Sequence, residues 1–106
     1  VRNINDLMKK AQELQKKMEK IEEELEKARI DGVSGGGAVK ATVSGKLDLI
    51  SIELDSEIIE QNDKEMLEDL IVAAVREAQE KAKKIAQEKF AEIGGLGGIP
   101  GFGIPN

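Results

Sequence analysis

The sequence predicts an α+β fold: a long helix, a three-stranded antiparallel sheet, a short helical turn and a second long helix. Two observations predict it. Charged segments at both ends of residues 1–93 repeat their apolar side chains at helical spacing. Between them lie short runs that alternate apolar and polar residues and are punctuated by glycine.

The first helix is expected from about Ile4 to Arg29. Ile4, Leu7, Ala11, Leu14, Met18, Ile21, Leu25 and Ala28 follow one another in steps of three and four. That is the heptad seam of a coiled coil. Met8 widens the stripe, and Asn3 with Asp6 reads as an N-cap with an acidic first turn. Gly32 and the run Gly35-Gly36-Gly37 break the pattern. A short strand is expected over Arg29–Val33. In Ala38–Ser44, Val39, Ala41 and Val43 share one face, with Lys40, Thr42 and Ser44 on the other. Ser44-Gly45-Lys46 signals a tight turn. Leu47–Asp55 alternates again, with Ile50, Ile52 and Leu54 inward. One-sided alternation means an antiparallel sheet with one buried face. Ser56–Glu60 is expected as a helical turn capped by Ser56. Asn62 and Glu65 then read as a capping box opening a helix that reaches about Ile93. Its alanines, among them Ala74, Ala78 and Ala82, permit close approach of a neighbouring element. From Gly94 the composition changes: six of the last 13 residues are Gly and two are Pro. Such a segment buries too little surface to offset its ordering entropy. Residues 1–93 are therefore expected as one domain and 94–106 as a flexible tail.

Composition narrows the function. A 106-residue chain fits one domain, and a monomer of this size buries only about two-thirds of its unfolded surface. Two long amphipathic helices then leave apolar stripes for a partner subunit. The chain has no cysteine, which excludes a disulfide scaffold and thiolate chemistry. No stretch approaches the length of a membrane span, and Val1–Lys10 lacks the apolar core of a signal peptide. A cytoplasmic location, with no membrane partner, is the expectation.

Histidine is also absent, and general acid–base work near neutral pH most often uses it. Ser34, Ser44, Ser51 and Ser56 have no imidazole to activate them. Asp48, Glu53 and Asp55 show no convergent ligand spacing, and no calcium-type loop occurs. Gly35-Gly36-Gly37 lacks the lysine spacing of a phosphate-binding loop and reads as a hairpin connection. No catalytic residue, metal, cofactor or small-molecule substrate is expected.

The lysines of the first helix carry the functional signal. With the seam placed on Ile4 and Ala11, Lys9 and Lys16 share position f, and Lys10 and Lys17 share position g. Lys20 follows. Residues 1–20 have a net charge of +3 and residues 21–29 a net of −2. The last helix mirrors this, with −3 over 63–69 and +2 over 76–90, where Arg76, Lys83 and Lys84 stand. If the helices pack antiparallel, the basic start of one is expected beside the basic end of the other. The arm then becomes positive at its tip, despite an overall charge of −5. Phosphate contacts with double-stranded DNA are expected from Lys9, Lys10, Lys16, Lys17, Lys20, Arg76, Lys83 and Lys84. Lysines at f and g are also common solvating residues of coiled coils. With no aromatic among the lysines, stacking on single-stranded bases is disfavoured. Asn5, Gln12 and Gln15 are the polar residues able to reach base edges. A coiled-coil chaperone or protein-interaction module is the alternative, since paired helices joined through strands resemble the layout of prefoldin subunits.

Four segments resemble the YbaB/EbfC family. They are Leu7–Gln12 with Gln15–Met18, Val39–Gly45, Asp63–Leu70, and Pro100-Gly101-Phe102. The resemblance covers nearly the whole chain. It implies a homodimer whose sheets meet at the centre and whose helix pairs project as tweezer-like arms. It also implies DNA binding, nucleoid association and, in some members, effects on gene expression. Residues 1–6 do not resemble the glycine-rich lead that many members carry before this helix.

Overall fold

A computed structural model describes residues 3–93, so the expected tail over 94–106 lies outside the described residues. The elements follow the predicted order. Helix α1 is Ile4–Lys27 and strand β1 Arg29–Ser34; β2 is Val39–Ser44 and β3 Leu49–Leu54; α2 is Ser56–Glu60 and α3 Lys64–Ala91. The strands form one antiparallel sheet in the order β1-β2-β3.

The core lies between β2 and α3. Val39, Ala41 and Val43 alternate onto one face and are fully buried, as are Ala74, Ala78 and Ala82 beneath them. The three alanines step by four residues, which keeps them on one helix face. Having only a methyl group each, they let α3 lie directly on the strands. Gly32 of β1 completes the approach: a Cβ there would run into the backbone of Ala74 and Ala78. Helix α3 thus covers β1 and β2 and leaves β3 partly open, with Leu49 and Ile50 about half exposed.

The free edge of β1 is closed by side chains of α3. The Val33 N–H donates to Glu77 Oε1 at 2.8 Å, and Lys81 Nζ donates to the Asp31 carbonyl at 3.2 Å. Residues 31 and 33 point their backbone groups to the same side, so both bonds occupy groups that another strand would need. The Val33 hydrogen bond holds the Glu77 carboxyl below its ordinary value of 4.5, assisted by the Lys81 ammonium and opposed by partial desolvation. A carboxyl lowered in the folded state stabilises the fold above its unfolded value and loses that contribution as pH falls through the lowered one. The thermal stability of the native protein is therefore expected to exceed that of Glu77→Gln at neutral pH. The gap should close progressively in acid below 4.5, as read by melting curves across pH.

Four local expectations need correction. Strand β3 begins at Leu49 rather than Leu47, because Leu47 takes a left-handed conformation (φ 76°) in the turn after Ser44. A bulge between Thr42 and Val43 then places Leu49 opposite Val43, and Ile50, expected to be covered, is about half exposed. The cap of α3 is Asp63, whose side chain accepts from the Met66 N–H at 3.0 Å. Asn62 instead supplies the chain reversal at φ 57°, a conformation its short amide tolerates. Asp55, not Ser56, occupies the N-cap of α2. Asn3 does cap α1, accepting from the Asn5 N–H at 2.9 Å.

The whole is elongated. Its radius of gyration is 19.4 Å and its extents are 69 × 27 × 16 Å. A compact domain of this length has a radius near ~13 Å. Helix α1 leaves the sheet at one end, anchored where buried Leu25 accepts the Gly45 N–H at 2.7 Å. Most of α1 then projects as an arm.

Candidate nucleic-acid interface

The arm has a charged surface because only one stripe of α1 is apolar. Lys9, Lys10, Lys16, Lys17 and Lys20 are all exposed, as are Arg76, Lys83 and Lys84 on α3. Among the described residues none of these eight cations forms an ion pair. Lys40, Lys64, Lys81 and Lys89 do, with Glu53, Glu68, Glu77 and Glu24. The eight candidates thus keep their full charge available to an outside anion.

Their placement differs from the sequence expectation. Helices α1 and α3 do run antiparallel, but their register is shifted. Lys89 reaches Glu24 at 3.3 Å, so the basic end of α3 lies beside the acidic half of α1. Ile93, just past α3, sits in a hollow with Leu14, flanked by Lys10, Glu13 and Lys17. The first turns of α1 extend beyond that point. Among the described residues the arm tip is therefore built by α1 alone, and Lys83 and Lys84 stand at the arm's root. With roughly 1.5 Å of rise per residue and the Glu24–Lys89 pair as reference, Lys9 and Lys84 lie about 30 Å apart along the arm. Arg76 is farther still, at the level of the sheet, between the core residues Ala74 and Ala78. The two cationic groups do not converge at a tip. Leu25 against Gly45 at the root and Ile93 beside Leu14 hold this register, with the Lys89–Glu24 pair between them, and charge signs along the sequence could not reveal it without knowing where α1 meets the sheet.

Five lysines in the distal part of α1 thus form one group, with Asp6, Glu13 and Glu19 as the acidic residues interspersed. Lys83 belongs to a second region. It shares with Lys46 the rim of an open hollow of about 570 Å³ walled by Leu25, Leu47 and Phe90. Sequence reasoning missed Lys46, whose position beside the arm's root depends on the β2–β3 turn folding against α1. Acidic side chains show no metal-like arrangement: no group of three or more metal-binding residue types converges among the described residues. No described helix is long and apolar enough to cross a membrane. No buried side-chain polar atom among the described residues lacks a partner.

Known proteins share both the sequence and the shape. The profile of the YbaB/EbfC DNA-binding family matches residues 1–97. A nucleoid-associated protein of Clostridium perfringens is 48% identical over 100 residues, covering 94% of this chain and 89% of its own length. One from Caldanaerobacter subterraneus is 41% identical, covering 94% and 90%. A third, from Streptomyces griseus, is 42% identical, covering 94% and 91%. The crystal structure of an uncharacterized protein from Helicobacter pylori superposes with a TM-score of 0.72 at 19% identity. It covers 83% of this chain and 92% of its own. That likeness shows the shared fold, and the sequence matches show the kinship: the chain belongs to the YbaB/EbfC DNA-binding family.

Proposed function

We propose that the protein binds double-stranded DNA as a homodimer, holding the phosphate backbone with the lysines of its α1 arms. The observation that carries this reading is the group Lys9, Lys10, Lys16, Lys17 and Lys20. All five are exposed and free of ion pairs among the described residues, on the part of the molecule farthest from the acidic root. Arg76, Lys83 and Lys84 lie lower and act as secondary contacts for a duplex that follows the arm. The roughly 30 Å between the two groups approaches one turn of B-DNA, about 34 Å. Family membership supports DNA as the partner. The lysine ammonium is a point charge without base-reading geometry, so contact is mainly with the backbone and sequence preference is weak.

The dimer follows from what one chain leaves uncovered. Leu49, Ile50, Ile59 and Val72 are about half exposed, and β3 is an edge strand whose Leu49 and Ile50 α3 leaves open. The opposite edge, β1, is occupied by Glu77 and Lys81. Association on the β3 side joins the sheets at the centre and directs the arms outward. In that form the protein works in the nucleoid, without catalysis, and shapes DNA organisation and gene expression.

The test is duplex binding across a salt series. Four to ten neutralised phosphates give a slope of log affinity against log salt of about −4 to −9. A flat response, or no binding at low salt, would overturn the reading. A second reading rests on a specific observation: Ile4, Leu7 and Met8 are 73%, 54% and 55% exposed at the arm's end. Apolar tips suit a prefoldin-like module that holds unfolded chains. Suppression of aggregation of an unfolded protein, without duplex binding, would favour it.

A further inference from the structure

The turn between β2 and β3 is braced from three sides. Within it, the buried Ser44 Oγ accepts from the Lys46 and Asp48 N–H groups at 3.1 and 3.3 Å. On the α1 side, the Gly45 N–H donates to the Leu25 carbonyl at 2.7 Å. Gly45 lies so close to that helix that a Cβ on it would meet the Leu25 backbone. On the α3 side, Gln79 Nε2 donates to the Leu47 carbonyl at 3.3 Å. Leu47 also packs on the cluster of Ile30, Val43, Ala78 and Ala82, and it does so at φ 76°, in the left-handed region. A branched side chain rarely adopts that conformation, which persists only where the surroundings impose it.

The residue fixed by these contacts is Lys46. Its neighbours on both sides are tied to the long helices, while its own side chain is exposed. It lines the same hollow as Lys83, which is exposed as well, and neither forms an ion pair among the described residues. Glu22 is the single acid of that lining and pairs with neither. Two cations from separate elements thus flank a floor that carries Leu25 and Phe90. A nucleic-acid strand offers the matching surface: charged phosphates separated by sugars of largely C–H character. With Gly45 bonded to Leu25, Lys46 stands roughly 24 Å below Lys9 along the arm. That is within one turn of B-DNA, about 34 Å, so a duplex lying along the arm reaches both. Because the turn is already rigid, little ordering of the backbone accompanies such a contact.

We propose that Lys46 and Lys83 form a second phosphate-binding site at the arm's root, which receives the backbone of the duplex held by the α1 lysines. The site rests on the DNA-binding reading above and adds to it a contact made by the sheet.

Fluorescence anisotropy of a labelled duplex, titrated with the full chain across a salt series, tests this. Lys46→Ala is expected to weaken binding about fivefold at moderate salt and to lower the salt slope by about 0.9, the share of one phosphate contact. Its melting temperature should hold, because the turn is braced by the Lys46 N–H and not by the side chain. Lys46→Arg keeps the charge and is expected to bind like the native protein. Lys64→Ala is the control. It removes the same charge at the start of α3, roughly 37 Å along that helix from Lys89, and should leave the slope unchanged. Equal losses from Lys46→Ala and Lys64→Ala would show that net charge alone matters and overturn the site. Native affinity and slope in Lys46→Ala would overturn it too, while leaving the tip lysines in place. A native protein that binds no duplex would overturn both readings together.

Discussion

Gly32→Ala is expected to destabilise the fold by at least about 3 kcal/mol, a large share of the stability of a small domain. A Cβ at this position would fall on the Ala74 carbonyl oxygen and the Ala78 nitrogen, and 2.9 Å from the Ala78 Cα. These are backbone atoms of α3 and cannot swing aside like a side chain. Helix α3 must lift from β1, which opens the packing of Ile30, Val43, Ala78 and Ala82. Thermal or urea unfolding should show a midpoint lowered by roughly 15 °C or more. Gly36→Ala is the informative contrast. Nothing lies within 4 Å of a Cβ there, but φ is 67°. Its cost is conformational strain alone, about 1 kcal/mol. Equal melting of the two variants would show that α3 does not rest on Gly32.

The combined charge reversal Lys9→Glu, Lys10→Glu, Lys16→Glu and Lys17→Glu is expected to weaken duplex binding by about a thousandfold or more at moderate salt, and to flatten its salt slope. Each change removes a cation and installs a repelling anion on the α1 tip. Because all four side chains are exposed and unpaired among the described residues, the melting temperature should hold nearly constant. Lys83→Glu with Lys84→Glu is expected to cost less, on the order of tenfold, since these residues stand beside the acidic half of α1. A greater loss from the second set than from the first would move the interface to the arm's root. Undiminished binding by the fourfold variant would remove the tip lysines from recognition.

Much of the fold was legible because it depends on local periodicity. The heptad steps from Ile4 to Ala28, the alternation of Val39, Ala41 and Val43, and the alanines of α3 each specify an element and its buried face from neighbours in sequence. The errors fell where side-chain chemistry or tertiary contact chooses among near-equal options. Asn62 and Asp63 are both competent caps, and the backbone reversal assigned one to each role. The exposure of Ile50 depends on how far α3 reaches across the sheet, which no alternation pattern contains.

The site divided in the same way. Which residues are cationic, exposed and on the helices follows from sequence, because charge runs off an apolar stripe stay in water. Where those cations stand relative to one another does not. The register of α1 on α3 is fixed by Leu25 against Gly45 at the root, Lys89 against Glu24 in the middle and Ile93 against Leu14 above. These contacts join residues 20 to 79 positions apart. Periodicity is a local property and sets faces; register is a long-range one, decided by packing and by pairing of opposite charges. Sequence alone thus determined the elements, their faces and a cation-bearing first helix, while tertiary structure placed those cations on the distal part of α1 and set Lys83 and Lys84 against the acidic root.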